Sequence, residues 1–371
     1  MARRFKNIDL VDHCDAFPYP ATAPEQYATH MKLVYPVVWS DRVVDDNDDN
    51  DGDDSKEDTF PIGYMLRTVF AELAAIPKPD LAALGFDPDV DLKGIAAATG
   101  TVPLHRLLHR QPDEPGRTRA VAALNAYWRA RGTFRVLRAW RDELWPVYGR
   151  HGVLLYSVER AATVLFGVLR CGVHMTAYVQ EEEEDNSDND DNGEKNLRIW
   201  VPRRAADKAS YPGMLDNTVA GGLMTGEEPF ECLVREADEE ASLPADVVRR
   251  RARAVGTVTY VYITDERAGG EAGYVSPECE WVYELPLPAS VVPQPKDGEV
   301  ESFRLCTVAE VQDQLARGLY KPNCAVVLLD FFVRHGILTR DNEPDYDAIV
   351  RRLHRVLPFP GPHETEKEVQ P

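Results

Sequence analysis

The chain has 371 residues, 44% of them hydrophobic, and a formal net charge of -20 at neutral pH. That is enough apolar material for cores in two domains of ordinary size. No run of 18 apolar residues occurs, which argues against a helical membrane span and for a soluble protein. No basic stretch with interleaved aromatic residues offers a track for a nucleic-acid backbone.

The acidity is concentrated. Residues 41–60 hold ten acidic and two basic residues, and residues 181–195 hold nine acidic and one basic, so each tract carries -8 and together they account for -16 of the -20. Both tracts are nearly devoid of apolar side chains and repel themselves, so they are expected to be disordered inserts. Neither has the glutamate that closes an EF-hand loop at the required distance from a central glycine. The remaining 336 residues are close to neutral.

From the N-terminus, "MARRFKNIDLVDHCD" has basic residues but no apolar core of signal-peptide length, so no secretory leader is expected there. The six cysteines (Cys14, Cys171, Cys232, Cys279, Cys306, Cys324) show neither a C-x-x-C pair nor disulfide-like spacing, which points to a reducing, cytoplasmic setting. Segments such as "GYMLRTVFAEL" and "TRAVAALNAYWRARGTFRVLRAWRDELW" space their apolar residues as helices do. Residues 1–150 therefore read as a mainly helical N-terminal domain interrupted by the first acidic insert. From residue 151 the texture turns to strands: "VLLYSVERAATVLFGVLR", "GVHMTAYV", "LRIWVPRRA" and "TVAGGLM", then "RAVGTVTYVYIT", "CEWVYELPLP" and "VESFRLCTV". Two helices follow, "AEVQDQLARG" and "NCAVVLLDFFVRHG". Strands on either side of one central helix, with helices appended, make residues 151–371 an α/β (α+β) sandwich with a mixed sheet. The second acidic insert falls where a hairpin loop would be.

The central helix is the informative one. On a wheel starting at Phe230, Leu233, Val234, Ala237 and Ala241 form one apolar stripe, while Glu236, Glu239 and Glu240 fall at roughly 240°, 180° and 280°. Three carboxylates at i, i+3 and i+4 repel one another, a cost that a hard divalent cation would turn into function. Asp238, Glu228 and Glu231 point away. Gly221, Gly222 and Gly226 precede the helix, where the backbone must turn tightly and approach an anionic ligand.

Counting from Gly221, five residues lead to Glu227, seven more to Arg235 and Glu236, and Glu239 and Glu240 follow. This resembles the Nudix box, G-x5-E-x7-R-E-U-x-E-E-x-G-U, with U a bulky apolar residue. Six fixed matches arise by chance roughly once in 10⁷ to 10⁸ positions at about 5–7% usage per residue type. Two positions depart from the pattern: Ser242 stands for the glycine, and Ala237 is small. The resemblance implies a Nudix α/β/α sandwich and a diphosphatase holding Mg²⁺ or Mn²⁺ on Glu236, Glu239 and Glu240, with Arg235 and Glu227 tying loop to helix. Gly221 and Gly222 would approach the substrate. Glu299 and Glu301 in "DGEVESF" are the distant-loop candidates for a general base. Arg203 and Arg204 would contact phosphate if their strand pairs with "TVAGG". His174 alternates with apolar neighbours and reads as a packed histidine.

The resemblance extends over "FRVLRAWRDELWPVYG", "VERAATVLFGV", "GVHMTAYV", "VGTVTYVYITDERAGGE" and "KPNCAVVLLDFFVRHGIL" to the fungal and plant Nudix proteins related to thiamine pyrophosphokinase. It implies a small-molecule partner, thiamine diphosphate or its oxidised oxo and oxy analogues. Trp200, Tyr211, Tyr260 and Tyr262 are available to stack on such a ring. Another nucleoside diphosphate derivative, such as ADP-ribose, a nucleotide sugar or an oxidised nucleotide, is the alternative. Isomerisation on the same fold would need a dedicated cysteine, for which Cys232 stands nearest, and a relict binding module would lack carboxylates that are present here.

Overall fold

The structure is a computed structural model that describes residues 4–41, 58–180 and 197–363. The acidic tracts read as disordered inserts lie almost wholly outside the described residues. Strands β1 (Val34–Ser40) and β2 (Thr59–Leu66) pair antiparallel with Ser40 opposite Thr59, so the first tract sits at a hairpin connection. A short β3 (Val102–Pro103) adds to β1 in parallel. The helix Glu114–Arg131 begins where Asp113 accepts the Gly116 N–H and ends on Gly132 in the left-handed region. Its Val121, Leu124 and Trp128 are buried in one core with Val37, Met65 and Tyr156. Beyond it, β4 (Leu144–Tyr148) and β5 (Leu154–Glu159) form an antiparallel hairpin.

Helices make up most of the regular structure of the N-terminal region, as expected, and they pack around a three-stranded sheet. Residues 63–66, read as the start of a helix, belong to β2, and the helix proper is Arg67–Ala74. β1 escapes a search for alternation because nearly all its residues are buried.

The second sheet runs β11-β7-β6-β10-β9, from β6 (Arg170–Gln180), β7 (Leu197–Arg204), β8 (Val219–Gly222), β9 (Arg253–Ile263), β10 (Val275–Pro286) and β11 (Val300–Thr307). β6 and β10 are parallel, Cys171 opposite Cys279, and their other neighbours are antiparallel. One edge of β6 is shared: Tyr178–Gln180 pair with β7, and Gly172–Met175 pair with β8. Side chains alternate across the sheet. Trp281 and Tyr283 of β10 join the core beneath helix Pro229–Ala241, whereas Val282 joins the core beneath Pro322–Arg334. Helices thus cover both faces, which is the expected α/β sandwich. The N-terminal helix Asn7–Cys14 packs on the second face, its Leu10 and Val11 buried with Phe331 and Phe332.

Candidate active site

The helix Pro229–Ala241, here the box helix, starts with proline at its first position and ends on Ser242 at φ +52°. Its apolar stripe (Cys232, Leu233, Val234, Ala237, Ala241) is buried against the sheet, and this fixes where the acidic flank looks. Glu240 is itself buried and accepts the backbone N–H of Ala220 in β8 at 3.0 Å. Glu236 lies over Gly221, where a Cβ would stand 2.2 Å from its Cγ and Cδ. Only glycine leaves room for that carboxylate. Arg235 reaches back over the turn: its Nε and Nη2 donate to the two oxygens of Glu227 at 2.8 and 3.0 Å, and its Nη1 donates to Glu236 at 2.9 Å and Glu239 at 3.0 Å. The loop-to-helix tie is thus present as a bidentate ion pair. Asp238, Glu228 and Glu231 face outward, Asp238 pairing with Lys296 and Glu231 with Arg249.

Burial pushes the Glu236 carboxyl up to about 7 against the pull of Arg235, with Glu239 adding like charge. Burial, then Glu236, pushes Glu240 well above the usual carboxylate range. Two carboxylates disfavoured as anions, on one flank beside an exposed third, are hard oxygen donors short of positive charge. That donor set fits Mg²⁺ or Mn²⁺. Among the described residues no three His, Cys, Asp or Glu side chains already stand in ligating geometry. Arg235 Nη1, hydrogen-bonded to Glu236 and Glu239, would have to release them to a cation.

The cleft in front of these carboxylates measures about 160 Å³. Its opposite wall takes Asp297 and the expected Glu299 from the loop before β11, and, not foreseen, Arg141, Glu143 and Arg160 from the residues around the β4–β5 hairpin. Of the two proposed bases, Glu299 lines the cleft and Glu301 does not. Burial raises Glu299, but the ion pair with Lys208 outweighs it and holds the carboxyl below its usual range.

The premise behind Arg203 and Arg204 does not hold, because β8 pairs with β6 and not with β7. Arg204 is buried and donates to Asp216 Oδ2 at 2.6 Å and to the Ser210 and Tyr211 carbonyls, while Arg203 donates to the Gly213 carbonyl. Neither lines the cleft. Cys232 is buried with its thiol directed to the Gly222 carbonyl, and burial pushes that thiol up.

A second cavity of about 160 Å³ continues the cleft past Gly221 and Gly222. Tyr211, Tyr260 and Tyr262 line it as the sequence allows; Trp200 does not, and Trp145 does. Trp145 packs on Gly222, where a Cβ would meet its ring at 2.2 Å. Tyr211, at φ +50°, bonds its hydroxyl to that of Tyr262 at 2.8 Å. Tyr260 donates to Glu278 and to Glu280. His174, a packed histidine as expected, donates from Nδ1 to Asn217 Oδ1 at 2.7 Å and sits 3.7 Å from Glu280.

The chain matches the family model for the NUDIX domain over residues 149–324 and a second, described as a domain of unknown function (DUF4743), over residues 95–170. It is 34% identical over 260 residues to an uncharacterized protein of Saccharomyces cerevisiae, YJR142W, covering 69% of this chain and 73% of that one. Residues 149–324 are a NUDIX domain. Two Arabidopsis thaliana relatives, Nudix hydrolase 20 and Nudix hydrolase 24, both named chloroplastic, are 35% and 36% identical over 258 and 256 residues. These alignments cover 69% and 68% of this chain and 62% and 63% of the relatives, so the chain spans just under two thirds of the plant proteins' length. Among solved structures, DR0079 from Deinococcus radiodurans aligns with a TM-score of 0.33 at 19% identity, covering 50% of this chain and 97% of that one. Trp145, Arg141 and Glu143 precede the NUDIX match, so the walls of the cleft are drawn from both sides of its boundary.

Proposed function

We propose that this chain is a divalent-cation-dependent diphosphatase acting on thiamine diphosphate and its oxidised oxo and oxy analogues. The reaction adds water across one phosphoanhydride: a P–O bond to water forms, the bridging P–O bond breaks, and a monophosphate ester and phosphate leave. The observation that carries this reading is the adjacency of a carboxylate cleft and an aromatic-walled cavity, joined across Ala220, Gly221 and Gly222. A diphosphate ester of a flat ring has the same two halves.

Glu236, Glu239 and Glu240 would hold Mg²⁺ or Mn²⁺, which when bound neutralises charge on the phosphoryl oxygens and lowers the pKa of a bound water. Gly221 keeps Glu236 against the strand, and Arg235 with Glu227 sets the pitch of the helix on its loop. Glu299, at the cleft wall, is the candidate to orient the attacking water. Tyr211, Tyr260, Tyr262 and Trp145 would receive the ring. The assignment to thiamine compounds is supported by the subfamily resemblance and by this ring cavity. Six buried free thiols support a reducing, cytoplasmic setting.

The test is a product-mass and phosphate-release screen of the full chain with Mg²⁺ over thiamine diphosphate, its oxo and oxy analogues, ADP-ribose, nucleotide sugars and oxidised nucleoside triphosphates. Preferential turnover of the thiamine compounds is expected. Turnover confined to the nucleotide compounds would reject the thiamine assignment while leaving a diphosphatase.

A further inference from the structure

We propose that Arg160, with Arg141 beside it, is the cation that grips the phosphoryl oxygens of the substrate, so that residues 141–160 form an arm of the active site. The proposal rests on the diphosphatase reading and assigns it a phosphate-binding group outside the box.

Position is the first ground. The carboxylate cleft and the ring cavity share four residues, Arg160, Ala220, Gly221 and Gly222. Arg160 is the one charged side chain common to both, at the junction a diphosphate would straddle. Its charge is felt at Glu236 on the helix wall and at Glu299 on the loop wall. Elimination is the second ground. Arg235 is shared among Glu227, Glu236 and Glu239, Arg204 and Lys208 line neither cavity, and Arg170 and Lys321 line the ring cavity without reaching the carboxylate cleft. Among the described residues Arg160 has one ion-pair partner, Glu143 Oε2 at 2.9 Å. A guanidinium has five donors in a fork that matches two phosphate oxygens at once.

The arm is built to hold this group still. Glu159, 2% exposed, accepts through one oxygen the backbone N–H of Arg141 at 3.0 Å and that of Ala161 at 3.3 Å, which fixes the turn carrying Arg160 against the segment carrying Arg141. The Arg160 N–H donates to the Glu143 carbonyl at 2.9 Å. The arm is then fastened to the box loop: Thr225 donates its N–H to the Leu144 carbonyl at 2.9 Å and its hydroxyl bonds that of Ser157 at 3.0 Å. With Trp145 on Gly222, these contacts set the arginines across the cleft from the box carboxylates. One wall then offers ligands for a divalent cation and the other offers cations for phosphate.

The experiment compares the full-length wild type with Arg160→Ala and Arg160→Lys in Mg²⁺. It reads steady-state turnover of the best diphosphate substrate and, by calorimetry, binding of methylenediphosphonate, which cannot be hydrolysed. Loss of a charge-assisted bidentate contact predicts for Arg160→Ala a fall in methylenediphosphonate affinity and in kcat/KM on the order of 10- to 100-fold. Arg160→Lys should fall between it and wild type, and added guanidinium should partly restore the alanine variant. Unchanged affinity and turnover in a folded Arg160→Ala would overturn the proposal. So would a loss that guanidinium does not relieve and that tracks a lowered unfolding midpoint, which would make Arg160 a brace of the arm. If wild type hydrolyses no diphosphate, the function reading fails by itself, and the binding measurement still decides Arg160.

Discussion

Arg235 grips Glu227 with two parallel hydrogen bonds, 2.8 Å from Nε and 3.0 Å from Nη2, across the turn that joins β8 to the box helix. The same guanidinium holds Glu236 and Glu239 through Nη1. Lysine is a point charge without the planar fork, so Arg235→Lys should keep one carboxylate and release the others. A loss of about 1.5–3 kcal/mol in urea unfolding is expected, the range for hydrogen bonds to charged groups, together with reduced turnover. A variant as stable as wild type would mean that loop and helix are aligned by the buried apolar stripe alone.

Gly221 gives a sharper steric case. A methyl group at this position would enter the space of the Glu236 side chain, and the backbone of β8 is pinned by its pairing with β6. Gly221→Ala should therefore push Glu236 aside, and Mg²⁺-dependent turnover should fall on the order of 10²-fold, as for other misplacements of about 1 Å. Wild-type turnover in that variant would show that the position of Glu236 does not matter.

The buried pair His174 and Glu280 predicts a pH dependence. Burial lowers the His174 pKa, but the Glu280 carboxylate outweighs it and holds the imidazole well above its ordinary 6.5; burial raises Glu280, and His174 outweighs that and holds it below its ordinary 4.5. The raised histidine stabilises fully below pH 6.5, and this is lost as pH rises through its folded pKa. The depressed glutamate stabilises above pH 4.5, and this is lost as pH falls through its folded pKa. The pair's contribution therefore peaks between about pH 4.5 and 6.5. Histidine NMR should show His174 titrating above 6.5 in wild type and lower in Glu280→Gln. An unshifted His174 in the variant would rule out Glu280 as the cause.

The box was legible because its chemistry is local: carboxylates at i, i+3 and i+4, a glycine where one of them must lie on the strand, and an arginine one residue before the first. The six-stranded sheet was legible from its apolar runs, and the placement of the second acidic tract was legible because Gln180 and Leu197 had to meet across it. The arm was not. Arg160 and Arg141 reach the cleft through contacts made some 60 to 160 residues away in the chain, and no short spacing records such a meeting. Arg203 and Arg204 failed for the reciprocal reason, since nothing local tells which strand borders β8. Trp145 for Trp200 is the same kind of miss, a choice between two aromatic residues that only tertiary packing makes.

Ser242 was the one departure from the box with a backbone consequence, and it sits in the left-handed region at φ +52° as the C-cap of the box helix. Glycine adopts that conformation without the Cβ penalty. Ser242→Gly should raise stability by about 1 kcal/mol in urea unfolding, with turnover unchanged. A destabilised variant would mean that the serine side chain makes up for its backbone.

If the acidic flank binds a divalent cation for hydrolysis, as proposed, Glu240→Gln should disable the site without unfolding it. Glutamine can still accept the Ala220 N–H, and it removes a carboxyl whose ionisation is opposed by burial and by Glu236. The measurement is Mg²⁺-dependent phosphate release from the best diphosphate substrate, alongside the thermal midpoint without metal. Turnover should fall by at least about 10²-fold while the midpoint holds or rises. Undiminished turnover in Glu240→Gln, or wild-type turnover that persists in excess EDTA, would contradict the proposal.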